Sequence, residues 1–266
     1  MLIKQCNISP PLKRNKKGYN FLKYYNLNEY NNPKMPAIFY GLFDRISDIR
    51  KLRDHKSLAI IMWLGSDILQ KRQVQIVKKM PNVKHIAISS FIASDLKKHG
   101  LKYKFFPIRG IPFNDIKPNK LGKGIYTYTP SPSNKKYRQR YGYDILKNVI
   151  KKCPFKINIV TSPNQYSRKK ILKIYSSCFC GLRFTKHDGL SNTVIDLGLM
   201  GRKCFSNDKN LPNAVKWDEN DIDGIIKNIM VLSKNIGKID RKTASRVLKY
   251  ISIGNSWLKT DTWKRD

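Results

Sequence analysis

Short apolar runs alternate along this chain with segments whose apolar residues recur every three to four positions, the mixed pattern of a sheet served by helices. In the first half, Met1 to Ile8, AIFYGLF after Pro36, LAIIMWLGSD, Val83 to Ser89 and Tyr103 to Pro107 read as strands. Ser47 to His55, Ile68 to Lys79 and Ser90 to His99 read as helices, the last closed by Gly100. The basic run LKRNKKG after Pro11 reads as a loop, followed by an aromatic segment from Tyr19 to Tyr30. Ile108 to Gly124 is rich in Pro, Gly and Asn and has no period, which marks a linker. The pattern then restarts with the strand GIYTYT, the polar loop PSPSNKKYRQRYGY and a helix from Asp144 to Lys152. A strand (Phe155 to Val160), a helix (Ser167 to Ser176) and two closing helices (Asp221 to Asn235, Arg241 to Tyr250) flank one further βαβ unit. The expected class is α/β: two halves, 1–112 and 121–250, each on a mostly parallel sheet and facing each other across a cleft, with a tail at 251–266.

That βαβ unit carries the candidate chemistry. Cys178 to Phe184 predicts a strand, Thr193 to Met200 a helix stopped at Gly201, and Lys203 to Phe205 a second strand. Ser191, Asn192 and Thr193 are all N-cap residue types, so the helix is expected to open there, its unpaired backbone N–H groups suited to a phosphate. Asp188 and Asp196 flank that opening, where carboxylates can accept hydrogen bonds from sugar hydroxyls.

The run D-G-L-S-N-T-V-I-D-L-G-L-M-G-R resembles the signature of retaining, nucleotide-sugar-dependent glycosyltransferases of the GT-B fold (family-4-like). In that family two acids with seven residues between them bracket a Gly-containing loop and a Gly follows; Asp188, Gly189, Asp196 and Gly201 fall on those positions. The family usually carries Glu at both acidic positions, and Asp is one methylene shorter. The resemblance implies two Rossmann-like domains, the first acceptor-side and the second binding the nucleotide sugar, with the tail packing back on the first. It also implies retention at the anomeric carbon, no obligate metal, and a nucleotide sugar, a UDP-sugar such as UDP-glucose, as co-substrate. Asp188 would hold donor sugar hydroxyls and Asp196 the ribose. Arg183, Lys186 and the backbone from Gly189 and Leu190 through Ser191, Asn192 and Thr193 would neutralise the departing diphosphate. Thr129 and Ser131 would belong to the donor loop after the first strand of this half.

Asp67 joins Asp188 and Arg183 in the expected catalytic set, because ligands of open α/β sheets bind beyond strand carboxyl ends. A helix N-cap for Ile68 to Lys79 is an equal reading of Asp67. His187 reads as a donor- or acceptor-side contact rather than a base. Neither a P-loop nor a G-x-S-x-G elbow is present, and the histidines lack ligand spacing. Cys178 and Cys180 read as buried thiols, and five cysteines without framework spacing point to a reducing compartment. A soluble cytoplasmic protein is expected, in the cytoplasm or nucleus of a host if the chain is viral.

Charge changes the picture of the partner. Lys and Arg number 53 against 18 Asp and Glu, for a net charge of +35. An AT-rich coding bias supplies lysine but leaves the scarcity of glutamate unexplained, since only Glu29 and Glu219 occur. Such a field attracts polyanions. Lys13, Arg14, Lys16 and Lys17 form one basic cluster and Lys135, Lys136, Arg138 and Arg140 another, both interleaved with or followed by tyrosines. The candidate membrane helix, Gln70 to Met80, offers only Val74, Ile76, Val77 and Met80 as an apolar face. Duplex DNA carrying a hydroxylated base is therefore the expected acceptor, as in virus-encoded enzymes that glycosylate modified bases. The alternatives are a lipid-linked or glycan acceptor at an anionic membrane, or a non-catalytic nucleic-acid binder on a degenerate scaffold. Trp257 and Trp263 suit docking of the tail, with base stacking as the other reading.

Overall fold

Each strand here is followed by a segment long enough to cross back over the sheet, so the strands pair in parallel. The structure, a computed structural model, describes residues 1–14, 17–129, 135–161 and 166–264. Its first sheet contains β1 (Gln5–Ile8), β2 (Asn28–Glu29), β3 (Ala37–Tyr40), β4 (Ala59–Trp63), β5 (Val83–Ala87) and β6 (Lys104–Phe105), in the order β2-β1-β3-β4-β5-β6. Helices α1 (Pro10–Arg14), α2 (Lys17–Tyr25), α3 (Ser47–Asp54), α4 (Lys71–Val77) and α5 (Ser90–Lys98) connect them. The second sheet contains β7 (Gly124–Thr129), β8 (Ile157–Thr161), β9 (Cys178–Leu182), β10 (Lys203–Phe205) and β11 (Ala214–Val215), in the order β11-β10-β9-β7-β8. Around it run α6 (Lys135–Arg140), α7 (Tyr143–Lys152), α8 (Arg168–Ser176), α9 (Asn192–Leu199), α10 (Ile222–Ser233) and α11 (Arg241–Ile251). All strand pairs in both sheets are parallel.

The chain divides into two compact units. One comprises Met1–Pro112, Asp188–Leu190 and the tail from Ile251; the other comprises Phe113–His187 and Ser191–Tyr250. In the first, Ile38, Phe39, Ile60, Ile61, Met62 and Trp63 are fully buried, as expected for central strands covered on both faces. Trp257 and Trp263 join this core, with the Trp263 Nε1–H donating to the Trp257 carbonyl at 2.9 Å. Both indoles are buried and so are not available to stack on a base. The tail is laced to the start of the chain by the Ile3 N–H to Leu258 carbonyl bond at 2.8 Å and the Thr260 N–H to Met1 carbonyl bond at 3.0 Å. Val74 and Val77 of α4 are buried in the same core, which uses up most of the apolar face expected for a membrane helix. No helix among the described residues is long and apolar enough to cross a membrane.

Three expectations need correction, and two strands went unseen. The basic loop after Pro11 is partly helical, because Pro10 is tolerated at the first helical position and its missing N–H breaks no helical bond. The loop after β7 contains α6, since Lys, Arg and Gln are good helix formers. The helix expected from Ile68 begins only at Lys71, and β2 and β11, two residues each, were too short for any period to reveal.

His85 on β5 is 6% exposed, and its Nδ1 accepts from the Trp63 indole at 3.2 Å. Burial, together with nearby Lys84, pushes the imidazole from 6.5 down to about 4. A base with a depressed pKa stabilises the fold above its unfolded value and loses that contribution as pH falls through the folded one. Between pH 6.5 and pH 4 this histidine should therefore remove about 3 kcal/mol of stability. Denaturant unfolding of the protein and of His85→Phe across that range measures it. The stability difference between the two should narrow toward low pH; a constant difference refutes the assignment.

Candidate active site

The strand order of the second unit reverses between β7 and β9, the point at which open α/β sheets form a crevice beyond their strand carboxyl ends. Thr129 ends β7 there and is buried. Ser131, expected beside it, lies outside the described residues. Arg183 follows β9 directly. Its backbone N–H donates to the Phe205 carbonyl at 2.9 Å, which extends the ladder with β10 past the strand end. Its guanidinium carbon stands 5.1 Å from the Tyr141 ring centroid, a cation–π contact that restricts the side chain. Thr185 is 4% exposed, and its hydroxyl has no protein partner among the described residues.

Helix α9 opens at Asn192, with Ser191 as N-cap: its Oγ accepts from the Val194 N–H at 3.5 Å. The first-turn N–H groups of a helix have no intrahelical acceptor and carry its partial positive charge. The sequence-based boundaries, Thr193 to Met200, were one residue late. Close packing of α9 on β9 depends on Gly181, where an added Cβ would fall 2.4 Å from Leu197 Cδ1 and 3.1 Å from Cys204 Sγ. The helix ends at Gly201, whose φ of +88° is the left-handed C-terminal geometry that a Gly adopts without strain. Cys178 and Cys180 are buried, and burial pushes both thiols up.

Asp196 is 2% exposed and does not stand open to solvent. Arg168, the first residue of α8, places Nη1 2.9 Å from its Oδ2, and the Arg168 Nε–H donates to Asp115 at 3.3 Å. A carboxylate this deep would be costly without such a cation. The expected ribose ligand is thus held by an arginine that no sequence motif announced; its only signal was a basic residue at the start of a helix after a strand.

Asp188, Gly189 and Leu190 group with the first unit. The Ser89 hydroxyl donates to the Asp188 carbonyl at 3.2 Å, and a Cβ on Gly189 would lie 2.1 Å from the Leu64 carbonyl oxygen. The helix-capping reading of Asp67 is corrected. The residue is fully buried, and α4 is preceded by Gln70, so Asp67 caps no helix. Its carboxylate accepts backbone N–H bonds from Leu42 at 3.2 Å, Leu64 at 3.1 Å and Gly65 at 2.9 Å, tying the ends of β3 and β4 together. Burial nevertheless pushes its pKa up to about 6.

Lys186 was expected on the diphosphate, and its ammonium pairs instead with Glu219 at 2.5 Å. Both side chains are exposed, so the pair is weak and a ligand could displace it. Lys13 pairs with Glu29 at 2.6 Å, and Arg138 with Asp144 at 2.7 Å, again on the surface. Lys135 is exposed and Arg140 half-buried. Lys16 and the side chains of Arg14, Lys17 and Lys136 lie outside the described residues.

No protein-family model and no curated protein sequence matches this chain. Solved structures do. A TarM variant from S. aureus, in complex with fondaparinux, alpha-GlcNAc-glycerol and UDP, superposes with TM-score 0.55 at 12% identity, over 85% of this chain and 54% of that one. Sucrose-phosphate synthase from Thermosynechococcus elongatus superposes with TM-score 0.56 at 11% identity, over 90% and 75%. The DNA modifying enzyme beta-glucosyltransferase, solved with and without its substrate uridine diphosphoglucose, gives 0.52 at 10% identity over 98% of each chain. This chain spans about half the length of TarM. At these identities the likeness shows the fold: α/β, with two parallel-sheet Rossmann-like units of the GT-B type.

Proposed function

We propose that the chain is a glycosyltransferase that takes a sugar from a nucleotide-sugar donor held at the carboxyl ends of the second sheet. The observation that carries the reading is the conjunction at the β7–β9 reversal of Arg183 on its tyrosine and the Ser191-capped start of α9. Both are groups that stabilise a departing diphosphate, the largest electrostatic demand of the reaction. Asp188 takes the donor sugar hydroxyls and Asp196 the ribose, with Arg168 yielding part of its hold. A UDP-sugar is the proposed donor: TarM and beta-glucosyltransferase bear on this through their own UDP and uridine diphosphoglucose. Retention of the anomeric configuration rests on the two spaced acids.

For the acceptor we favour a hydroxylated base in duplex DNA. The net charge of +35 supports it, as does the end-to-end match in fold to a DNA-modifying enzyme of similar length. Extruding the base costs a few kcal/mol, which phosphate neutralisation by the lysine-rich surface offsets. The test is incubation with a panel of nucleotide sugars, with and without duplex DNA containing hydroxymethylated cytosine, following nucleoside diphosphate release and the mass of the DNA. Release of UDP with a hexose added to the DNA is the expected result. Release only with glycan or lipid acceptors overturns the DNA assignment, and no release from any donor overturns the enzyme.

A further inference from the structure

The first unit holds a second basic site that the proposed reaction does not use. It lies at the amino-terminal end of β5 and β6, where α5 finishes, away from the strand carboxyl ends that bind ligands in such sheets. A pocket of about 450 Å³ opens there between Lys84, His85, Lys97, Lys102 and Lys104, and no carboxylate lines it. Among the described residues, Lys84, Lys97 and Lys102 take part in no ion pair. The acids nearest in sequence, Asp95 and Asp261, do not line the pocket; Asp95 pairs with Lys98 at 3.4 Å, and Asp261 with Lys264 at 2.8 Å and the Met1 amino group at 3.9 Å. Gathering the three ammonium groups of Lys84, Lys97 and Lys102 at one opening costs free energy that an anion would recover.

The floor is more specific than the rim. Since His85 Nδ1 accepts from the Trp63 indole, the ring proton sits on Nε2. Burial keeps this imidazole neutral at physiological pH, so it offers an N–H donor without a further charge. Lys104 is fixed beside it, donating to the Thr262 carbonyl at 2.6 Å and lying 5.9 Å from the Trp263 ring centroid. Several point cations around one buried neutral donor form an acceptor-binding cradle, and the volume admits a phosphorylated group with its attached moiety.

We propose that this pocket is a phosphate-binding site, which grips a phosphate ester through Lys84, Lys97 and Lys102 with the His85 Nε2–H at its floor. The same chemistry is presented by a free phosphorylated metabolite and by a nucleic-acid backbone. The test begins with inorganic pyrophosphate titrated into the intact protein at low salt, by calorimetry. The triple variant Lys84→Ala/Lys97→Ala/Lys102→Ala is compared with a control of equal charge, Lys227→Ala/Lys234→Ala/Lys238→Ala, on the other unit. The pocket variant should lose roughly tenfold or more in affinity and the control under about twofold. Equal losses in the two variants, or no binding to the unaltered protein, overturn the site. A duplex oligonucleotide then separates the sources. If the site holds backbone, the pocket variant lowers the slope of log affinity against log salt by about two to three. An unchanged slope with pyrophosphate binding lost assigns the site to a free phosphorylated ligand.

Discussion

Arg183→Ala should lower transfer from the nucleotide sugar by roughly 10²–10³-fold, mostly in kcat, with the fold intact. The guanidinium is placed by the strand that precedes it and by Tyr141, 5.1 Å away. Negative charge grows on the leaving diphosphate as the glycosidic bond breaks, so a prepositioned cation acts more strongly on the transition state than on the bound donor. Arg183→Lys should recover only part of the loss, because a point charge cannot present two parallel N–H donors. Steady-state kinetics with the donor that the panel identifies give the split between kcat and KM. Full activity in Arg183→Ala removes this residue from the mechanism, and a large rise in KM alone makes it a ground-state anchor.

Arg202→Met should destabilise the second unit by about 4 kcal/mol, a large part of the roughly 5–15 kcal/mol that holds a domain folded. Arg202 is fully buried and has no carboxylate partner in its hydrogen-bond set. Its guanidinium donates instead to the carbonyls of Tyr175 and Cys178 at 3.1 Å, Lys120 at 2.8 Å and Ser176 at 3.2 Å, and also to Met200 and Asn119. Three of these, Tyr175, Ser176 and Met200, are carbonyls at the ends of α8 and α9, where the last turn leaves acceptors without an intrahelical donor. Burial pulls its pKa down to about 10, so it stays cationic at neutral pH. Methionine fills much of the volume and satisfies none of the acceptors. Urea denaturation should show a correspondingly lower midpoint; a shift worth under about 1 kcal/mol would mean that water replaces the guanidinium at little cost.

The α/β class and the course of β9 and α9 were legible in the sequence because local rules govern them. Apolar runs without period make central strands, a Ser-Asn-Thr cluster opens a helix and Gly201 closes one, so the boundaries of α9 fell within one residue. Motif reading likewise brought Arg183 and the α9 N-terminus to one sheet end. It could not assign partners to side chains. Asp196 answers to Arg168, 28 positions away; Asp67 serves Leu42, 25 positions away; Arg202 reaches back to Asn119 and Lys120. Those pairings depend on which carbonyl or carboxylate the crossovers deliver to a given point, and no window of neighbouring residues carries that information. Local propensity and periodicity decide which elements form. Only the packed chain, by burying a charge beside its partner or leaving it in water, decides whether an acid is a ligand, a clamp or one half of an ion pair.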